Sequence, residues 1–440
     1  MIRPACRWLG YLQALVLLLS LCACAVLPPE AETVARTEFS TAFESGSIGQ
    51  IDPLDRSGMN WRLHLRDDND DPTLPDSFRN WWYVGINGLA TGRPLTLQIE
   101  GFGAYYPALA VYSYDQKNWH HFSDDEAVWQ PCEEYSPGQC RLLIRKTFAS
   151  EHVWIARFYP YTTSDLNTFL ESQAASPYMQ VETLGLSPRH AAPIRLLTIS
   201  APGTEAKKIV WVNARTHPGE TGPSFLLEGL IRQLLAEDAT GRALRARYEF
   251  KIVPMHNVDG VIDGNYRTNA DSVNLEESWI SDPLASSIAL DADAPPENRL
   301  LVDRVLAPLL MSGADIVLAL NLHASNAPVD QQAFLFPHFG DDPMRFSPAQ
   351  RSLWRKQWAL IDALSAHYRG RIDTSSQNGG TGFLERAYPE TWWWEQRQDA
   401  VTAITLETTT GTAGFTHWVE ADDLRELGKA LAKAIEELSF

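Results

Sequence analysis

A chain of 440 residues has room for two or three domains and a large core, and a hydrophobic share of 45% is that of an ordinary globular protein. The formal net charge of −18 argues against non-specific nucleic-acid binding, because phosphate contacts need Lys and Arg. It leaves small substrates open, since a local pocket can carry the opposite sign.

Residues 1–24 read as a leader. Arg3 and Arg7 precede a short apolar run, ALVLLLSLCACAV, too short for a confident transmembrane helix. Leu21-Cys22-Ala23-Cys24 resembles a bacterial lipoprotein cleavage box with Cys24 as the lipidated residue, although Cys22 stands where a small non-Cys residue is usual. Export to a periplasmic location is expected. A lipid anchor on Cys24, plain signal cleavage and an uncleaved anchor all remain open, and membrane contact is expected only through such an anchor. Cysteine use agrees with export: three of the five Cys lie in the leader, and Cys132 and Cys140 close a small loop in PCEEYSPGQC. In an oxidising compartment a disulfide is the natural reading of that pair.

Residues 25–38, rich in Pro, Ala and Glu, read as a tether. Residues 39–165 read as an all-β sandwich domain. WWYVGINGL, PLTLQIEGF, LAVYSYD and RLLIRKTF are short apolar or alternating runs, separated by turn chemistry such as DDNDDP, NG, TG and SPG. A linking helix is expected near residues 164–173. Residues 166–440 read as an α/β domain. IRLLTIS, KIVWVNA, RYEFKIVPM, ADIVLALNLH and DAVTAITLETT are buried-type strands. They alternate with helical patterns in GPSFLLEGLIRQLLAED, RLLVDRVLAPLLMSG (ended by Gly313), SLWRKQWALIDALSAHY and DDLRELGKALAKAIEELSF. Ligands of open α/β sheets collect outside the carboxyl ends of the strands. His217 follows KIVWVNA, His323 ends ADIVLALNLH, and Glu407 ends AVTAITLE.

NARTHPGETG, residues 213–222, sets His217 three residues before Glu220. His-x-x-Glu alone is weak, expected about once by chance in a chain this long. A catalytic zinc needs three protein ligands and an open position, and two His with one Glu is a standard set. His217 and Glu220 supply two ligands from one loop, and His323 in LNLHASN is the best third. Glu407 in AITLETTTG suits a general base, because a carboxylate ending an apolar strand is costly unless solvated, paired or used. Arg267 in GNYRTNAD suits a cation that polarises the scissile carbonyl.

HPGET, FKIVPMHNVDGVIDGNYR, LNLHAS and TLET, in this order, resemble the zinc carboxypeptidases, most closely the cytosolic-carboxypeptidase branch. FESGSI, RNWWYVGINGL, VYSYDQKNW and ARFYPYTTSDL resemble that branch's amino-terminal β-domain, so the likeness covers roughly residues 39–420. The resemblance implies one Zn2+ per chain on His217, Glu220 and His323, Glu407 as catalytic carboxylate and Arg267 as the carbonyl-polarising Arg. It also implies a mixed eight-stranded sheet flanked by helices. The expected function is zinc-dependent hydrolysis of peptide bonds at or near a carboxyl end, with a peptide substrate and no protein partner readable. The rivals are an amidase or endopeptidase acting on cell-wall peptides and a non-catalytic peptide-binding lipoprotein.

One segment departs from the family. Where an Asn-Arg pair usually grips the substrate's terminal carboxylate, alignment on Trp279 sets Glu276 and Glu277 within Asn274-Leu275-Glu276-Glu277-Ser278-Trp279. With Asn274 these are the candidate substrate-binding residues. A Glu there repels an ionised carboxylate. Three readings stay open: another cation such as Arg386 or Arg397 does the gripping, the pocket takes a cationic or neutral end, or the site is degenerate. Tyr388 is a candidate for a family Tyr near the catalytic Glu on position alone. Trp392, Trp393 and Trp394 could line a peptide groove, although three consecutive Trp in a strand cannot share one face.

Overall fold

The computed structural model describes residues 37–440 apart from 91, 105–106, 134–135, 204–206, 280–287, 326–330, 374–386, 411–418 and 439. The leader with Cys24, and Arg386, lie outside the described residues. No helix among the described residues is long and apolar enough to cross a membrane.

The amino-terminal strands are β1 (Glu38–Ser40), β2 (Ile51–Pro53), β3 (Asn60–His64), β4 (Tyr83–Asn87), β5 (Leu95–Glu100), β6 (Val111–Ser113), β7 (Trp119–His121), β8 (Ala127–Gln130), β9 (Arg141–Lys146) and β10 (Val153–Ala156). They form two five-stranded sheets, ordered β1-β4-β10-β6-β7 and β2-β3-β5-β9-β8. Alternation decides what each sheet buries. In β5, Leu95, Leu97 and Ile99 face inward and meet Leu142 and Ile144 of β9 and Trp82, Val84 and Ile86 in one core. Trp81 belongs instead to the larger core of the rest of the chain, and its Nε1 donates to the Ser45 carbonyl at 2.9 Å. Consecutive Trp side chains thus serve two cores. Cys132 and Cys140 are disulfide-bonded.

Helix α1 (Thr163–Gln173) follows, its first turn closed by a capping box of Thr162 and Asp165. The second sheet system comprises β11 (Met179–Leu186), β12 (Pro193–Ile199), β13 (Lys208–Ala214), β14 (Tyr248–Val253), β15 (Ile316–Ser325), β16 (Ala333–Leu335) and β17 (Thr402–Thr409). Their order is β11-β12-β14-β13-β15-β17-β16. The four central strands are parallel, and the outer pairs are antiparallel. The described residues therefore give a mixed sheet of seven strands rather than eight. Ile372 adds a single parallel bridge to Ala333 at the far edge, where an eighth would lie.

The flanking helices are α2 (Gly222–Leu235), α3 (Ala239–Arg247), α4 (Val258–Asp263), α5 (Pro296–Leu301), α6 (Ala307–Met311), α7 (Pro348–His367), α8 (Pro389–Arg397) and α9 (Ala421–Leu438). A π-helical segment, Val302–Leu306, joins α5 to α6, and Gly313 ends the run in the left-handed region (φ +72°). α2 and α9 cross at Gly229 and Gly428, where an added Cβ would overlap the Arg425 and Leu226 carbonyls. Only glycine admits so close a crossing.

Trp392, Trp393 and Trp394 lie on α8, not on a strand. Helical spacing turns the three about 100° apart each. Trp392 and Trp393 are fully buried, and Trp392 packs on Trp279 and donates to the Ile288 carbonyl. Trp394 rests on Phe339. Trp392 and Trp393 are core, and the groove expectation does not hold for them.

Candidate active site

Three adjacent strands, β13, β15 and β17, bring the chemistry to one sheet end. β13 runs into Arg215, whose positive φ of 59° turns the chain into the HPGE loop. The Arg215 side chain is buried and wraps that loop. Its Nε donates to the Pro218 carbonyl at 3.1 Å, and Nη1 donates to the Tyr161 carbonyl and to Ser224 Oγ. Burial pulls this guanidinium down to about 10. Gly219 completes the loop: its N–H donates to the Tyr266 carbonyl, and a Cβ would come within 2.8 Å of the Tyr266 ring. The sequence reading missed Arg215, although it lies inside the quoted motif.

The loop presents His217 and Glu220, and β15 presents His323. All three are buried, and one donor atom from each lies within 4.8 Å of the others. His217 Nδ1 is 2.8 Å from Glu220 Oε1, His323 Nδ1 is 2.9 Å from Glu220 Oε2, and the two Nδ1 atoms are 3.1 Å apart. The Ala324 N–H donates to Glu220 Oε2 and fixes the carboxylate. Burial raises the proton affinity of Glu220, but His217 and His323 outweigh it and hold the group well below the usual carboxylate range. An ionised Glu and two ring nitrogens make a nitrogen and oxygen donor set suited to zinc.

The outer ring nitrogens are also occupied. His217 Nε2 is 3.1 Å from Asn274 Oδ1, and His323 Nε2 is 3.1 Å from Glu276 Oε2. A ring that donates its Nε2 proton outward keeps an Nδ1 lone pair turned inward. Both partners come from one short turn. Asn274 caps the 3₁₀ segment Leu275–Glu277 by accepting from the Glu276 N–H. Glu276 is buried, and its Oε1 accepts from Asn321 Nδ2 at 2.7 Å. Asn274 and Glu276, expected to hold substrate, meet the two histidines instead of standing free: the tight turn directs both side chains at the rings. Only Glu277 faces outward, half-exposed, 3.8 Å from Arg267 Nη2.

Glu407 is the register partner of His323 on the neighbouring parallel strand, and paired residues project to the same face. Its Oε2 is buried without a hydrogen-bond partner among the described residues. Burial first, and then the Glu220 charge, push the carboxyl up to about 8. Arg267 is three-quarters buried, rests over the Phe78 ring at 5.2 Å and carries a buried Nε with no partner among the described residues. Its charge acts on both His217 and Glu407. A buried acceptor and a buried donor, both unsatisfied near one donor cluster, are polar groups that a bound ligand could satisfy.

Two further expectations meet the structure here. Arg397 donates to the Leu310 and Gln396 carbonyls near the end of α8, so its guanidinium is engaged in helix packing rather than in a substrate grip. Tyr388 is buried at the N-cap of α8.

Comparisons with known proteins agree with this site. A family profile described as zinc carboxypeptidase matches residues 168–433, and one described as cytosolic carboxypeptidase N-terminal domain matches residues 39–158. Mouse cytosolic carboxypeptidase 6 (Mus musculus) is 29% identical over 256 residues, covering 55% of this chain and 46% of that protein. Human cytosolic carboxypeptidase 2 (Homo sapiens) is 37% identical over 145 residues, covering 31% of this chain and 16% of that protein. The chain thus spans about half or less of these relatives' length. The crystal structure of a metallo-carboxypeptidase from Burkholderia cenocepacia shares the fold at a TM-score of 0.72, with 24% identity over 91% of this chain and 98% of that one. A Pseudomonas aeruginosa metallo-carboxypeptidase in complex with (2-guanidinoethylmercapto)succinic acid shares it at 0.70, with 22% identity over 91% and 98%. Zinc is the metal of the matched family, and the buried His217, Glu220 and His323 donors fit it. With the profile match covering more than half of its length, the chain belongs to the zinc carboxypeptidase family.

Proposed function

We propose that the protein is a zinc-dependent peptidase that hydrolyses peptide bonds at or near the carboxyl end of a peptide, with His217, Glu220 and His323 as the zinc ligands. The observation that carries the reading is the inward convergence of these three donors beside an unsatisfied Glu407 carboxylate. When bound, zinc supplies Lewis acidity and lowers the pKa of water. Glu407 takes a proton from the attacking water at its free Oε2 and returns it to the leaving amine. Burial makes this carboxyl hold a proton more tightly than an exposed one, which suits a group that keeps the proton until the amine leaves. Arg267 donates from its unpaired Nε to the scissile carbonyl as negative charge develops there. Asn274 and Glu276 hold the imidazoles in the tautomer that leaves Nδ1 free.

Glu277 favours a second reading of specificity. It occupies the position where the family's Arg is expected and lies against Arg267. An anion there disfavours a free terminal carboxylate and favours an amine or a neutral amide, as in amidase or endopeptidase action on cell-wall peptides. Export to the periplasm, with or without a lipid on Cys24, belongs to the same proposal; the Cys132–Cys140 disulfide supports an oxidising compartment.

A digestion profile tests the reading. Zinc-loaded protein and its Glu407→Gln variant are mixed with one peptide set, including acidic, basic and amidated ends and purified cell-wall peptides, and the products are read by mass spectrometry. Products made only by the wild type, cut at or near the carboxyl end, are expected. Identical profiles with zinc present in both proteins would make the chain a binding protein.

A further inference from the structure

The β-sandwich contributes a carboxylate to the segment that carries Arg267. Asp68, in the turn after β3, is almost fully buried and forms no ion pair among the described residues. Its two oxygens accept from three successive backbone amides: Tyr266 N at 2.6 Å, Arg267 N at 2.8 Å and Thr268 N at 2.7 Å. Thr268 Oγ1 adds a fourth donor at 3.1 Å. A buried carboxyl is costly unless it is hydrogen-bonded, and here all four donors come from residues 266–268. The next residue, Asn69, extends the grip. Its Nδ2 donates to the Asn269 carbonyl at 2.9 Å and to Ser272 Oγ at 3.2 Å, while Asn265 Nδ2 donates to Asn69 Oδ1 at 3.0 Å. Phe78, from the same stretch of the sandwich, underlies the Arg267 guanidinium. On its other side the segment meets the metal loop, through the Gly219 N–H on the Tyr266 carbonyl.

We infer that Asp68 is a positioning residue for Arg267: by fixing the 266–268 backbone between the sandwich and the metal loop, it sets where the guanidinium stands relative to the reacting carbonyl. A purely adhesive contact between the two parts of the chain could lie anywhere on their boundary. This one holds the amide of Arg267 itself, and a second residue of the sandwich stacks on the same side chain. A shift of the 266–268 backbone therefore moves the guanidinium with it, whereas His217 and Glu220, whose loop shares one bond with the Tyr266 carbonyl, keep the further hold of Arg215 and the Ala324 amide. The sandwich is thus part of the catalytic apparatus. The inference rests on the role proposed above for Arg267.

A double-mutant cycle separates positioning from adhesion. The readout is kcat and KM on N-blocked dipeptides ending in glutamate, lysine and phenylalanine and on the best peptide of the digestion set. Zinc stoichiometry is measured on each protein. Arg267→Ala is expected to lower kcat about 10²–10³-fold. Asp68→Asn, which replaces one acceptor oxygen by a donor, is expected to lower kcat about 10–100-fold, with KM changed less than about threefold and zinc unaltered. In the Arg267→Ala background, Asp68→Asn is expected to change kcat by less than about twofold, because the group it positions is gone. Effects that multiply, or an Asp68→Asn enzyme with full kcat, would overturn the inference while leaving Arg267 in place. Undiminished kcat in Arg267→Ala would overturn the role of Arg267 and this inference with it, and no wild-type turnover of any peptide would overturn the peptidase reading as well. If Asp68→Asn does not fold, Thr268→Val, which removes one of the four donors, goes through the same cycle with an expected loss of about threefold and the same non-additivity.

Discussion

Glu220 and Glu407 are interacting carboxylates of one site with opposite assignments. The two imidazoles keep Glu220 ionised as a ligand must be, while burial and the Glu220 charge raise Glu407 to about 8. Glu407→Gln is accordingly expected to lower turnover about 10²–10⁴-fold, the usual contribution of a positioned acid–base group, with zinc still at one per chain by elemental analysis. Retained activity would remove Glu407 from that role. The two residues of the departing pair separate in the same way. Glu276→Ala strips His323 Nε2 of its carboxylate and is expected to weaken zinc binding about 10–100-fold in a chelator competition. Glu277→Gln, altering a half-exposed group on Arg267, is expected to leave zinc affinity unchanged. Equal effects of both would deny the turn its orienting part. The metal donors were legible in sequence because a loop motif and one strand end supply them in the order a family uses. The orientation of Glu276 was not legible, because alignment on Trp279 gives its position along the chain and only the Asn274-capped turn decides which way the side chain points.

At the scale of elements, hydrophobic pattern located β13, β15 and β17 with their functional ends, because continuous apolar runs bounded by polar loops leave few alternatives. It failed at Trp392–Trp394. Three consecutive aromatics carry no period of their own, and what makes them helical is Pro389 in the first turn and the burial of Trp392 against Trp279. That packing has a measurable consequence. Trp392→Ala removes a fully buried indole and its hydrogen bond to Ile288, and is expected to cost about 3–5 kcal/mol in urea unfolding. Trp394→Ala, at a half-buried site on Phe339, is expected to cost clearly less. Equal losses would mean that the helix does not hold these side chains as described.

At the scale of the whole molecule, composition and turn spacing announced a sandwich followed by an α/β sheet. The bond between them was not legible, because Asp68 and its donors lie about 200 residues apart in sequence. Residues 37–440 form one compact unit, and its buried titratable groups make its stability respond to acid. His256 supplies a term whose sign is fixed. It is fully buried where β14 meets the metal loop, its N–H on the Ala214 carbonyl and its ring edge-on to Trp279. Burial lowers its pKa from 6.5 to about 4. As pH falls below 6.5 the unfolded chain takes up a proton that the folded protein refuses. Stability is then untouched above 6.5, declines between 6.5 and 4, and levels off below. The full decline from this residue is about 3 kcal/mol. Other buried groups titrate too, so the measurement is a difference: unfolding free energies of wild type and His256→Gln at pH 7 and pH 4, both proteins with metal chelated. The variant is expected to lose about 3 kcal/mol less over that interval. Equal declines would mean that His256 already accepts its proton in the folded protein, which its closed surroundings between the metal loop and Trp279 should forbid.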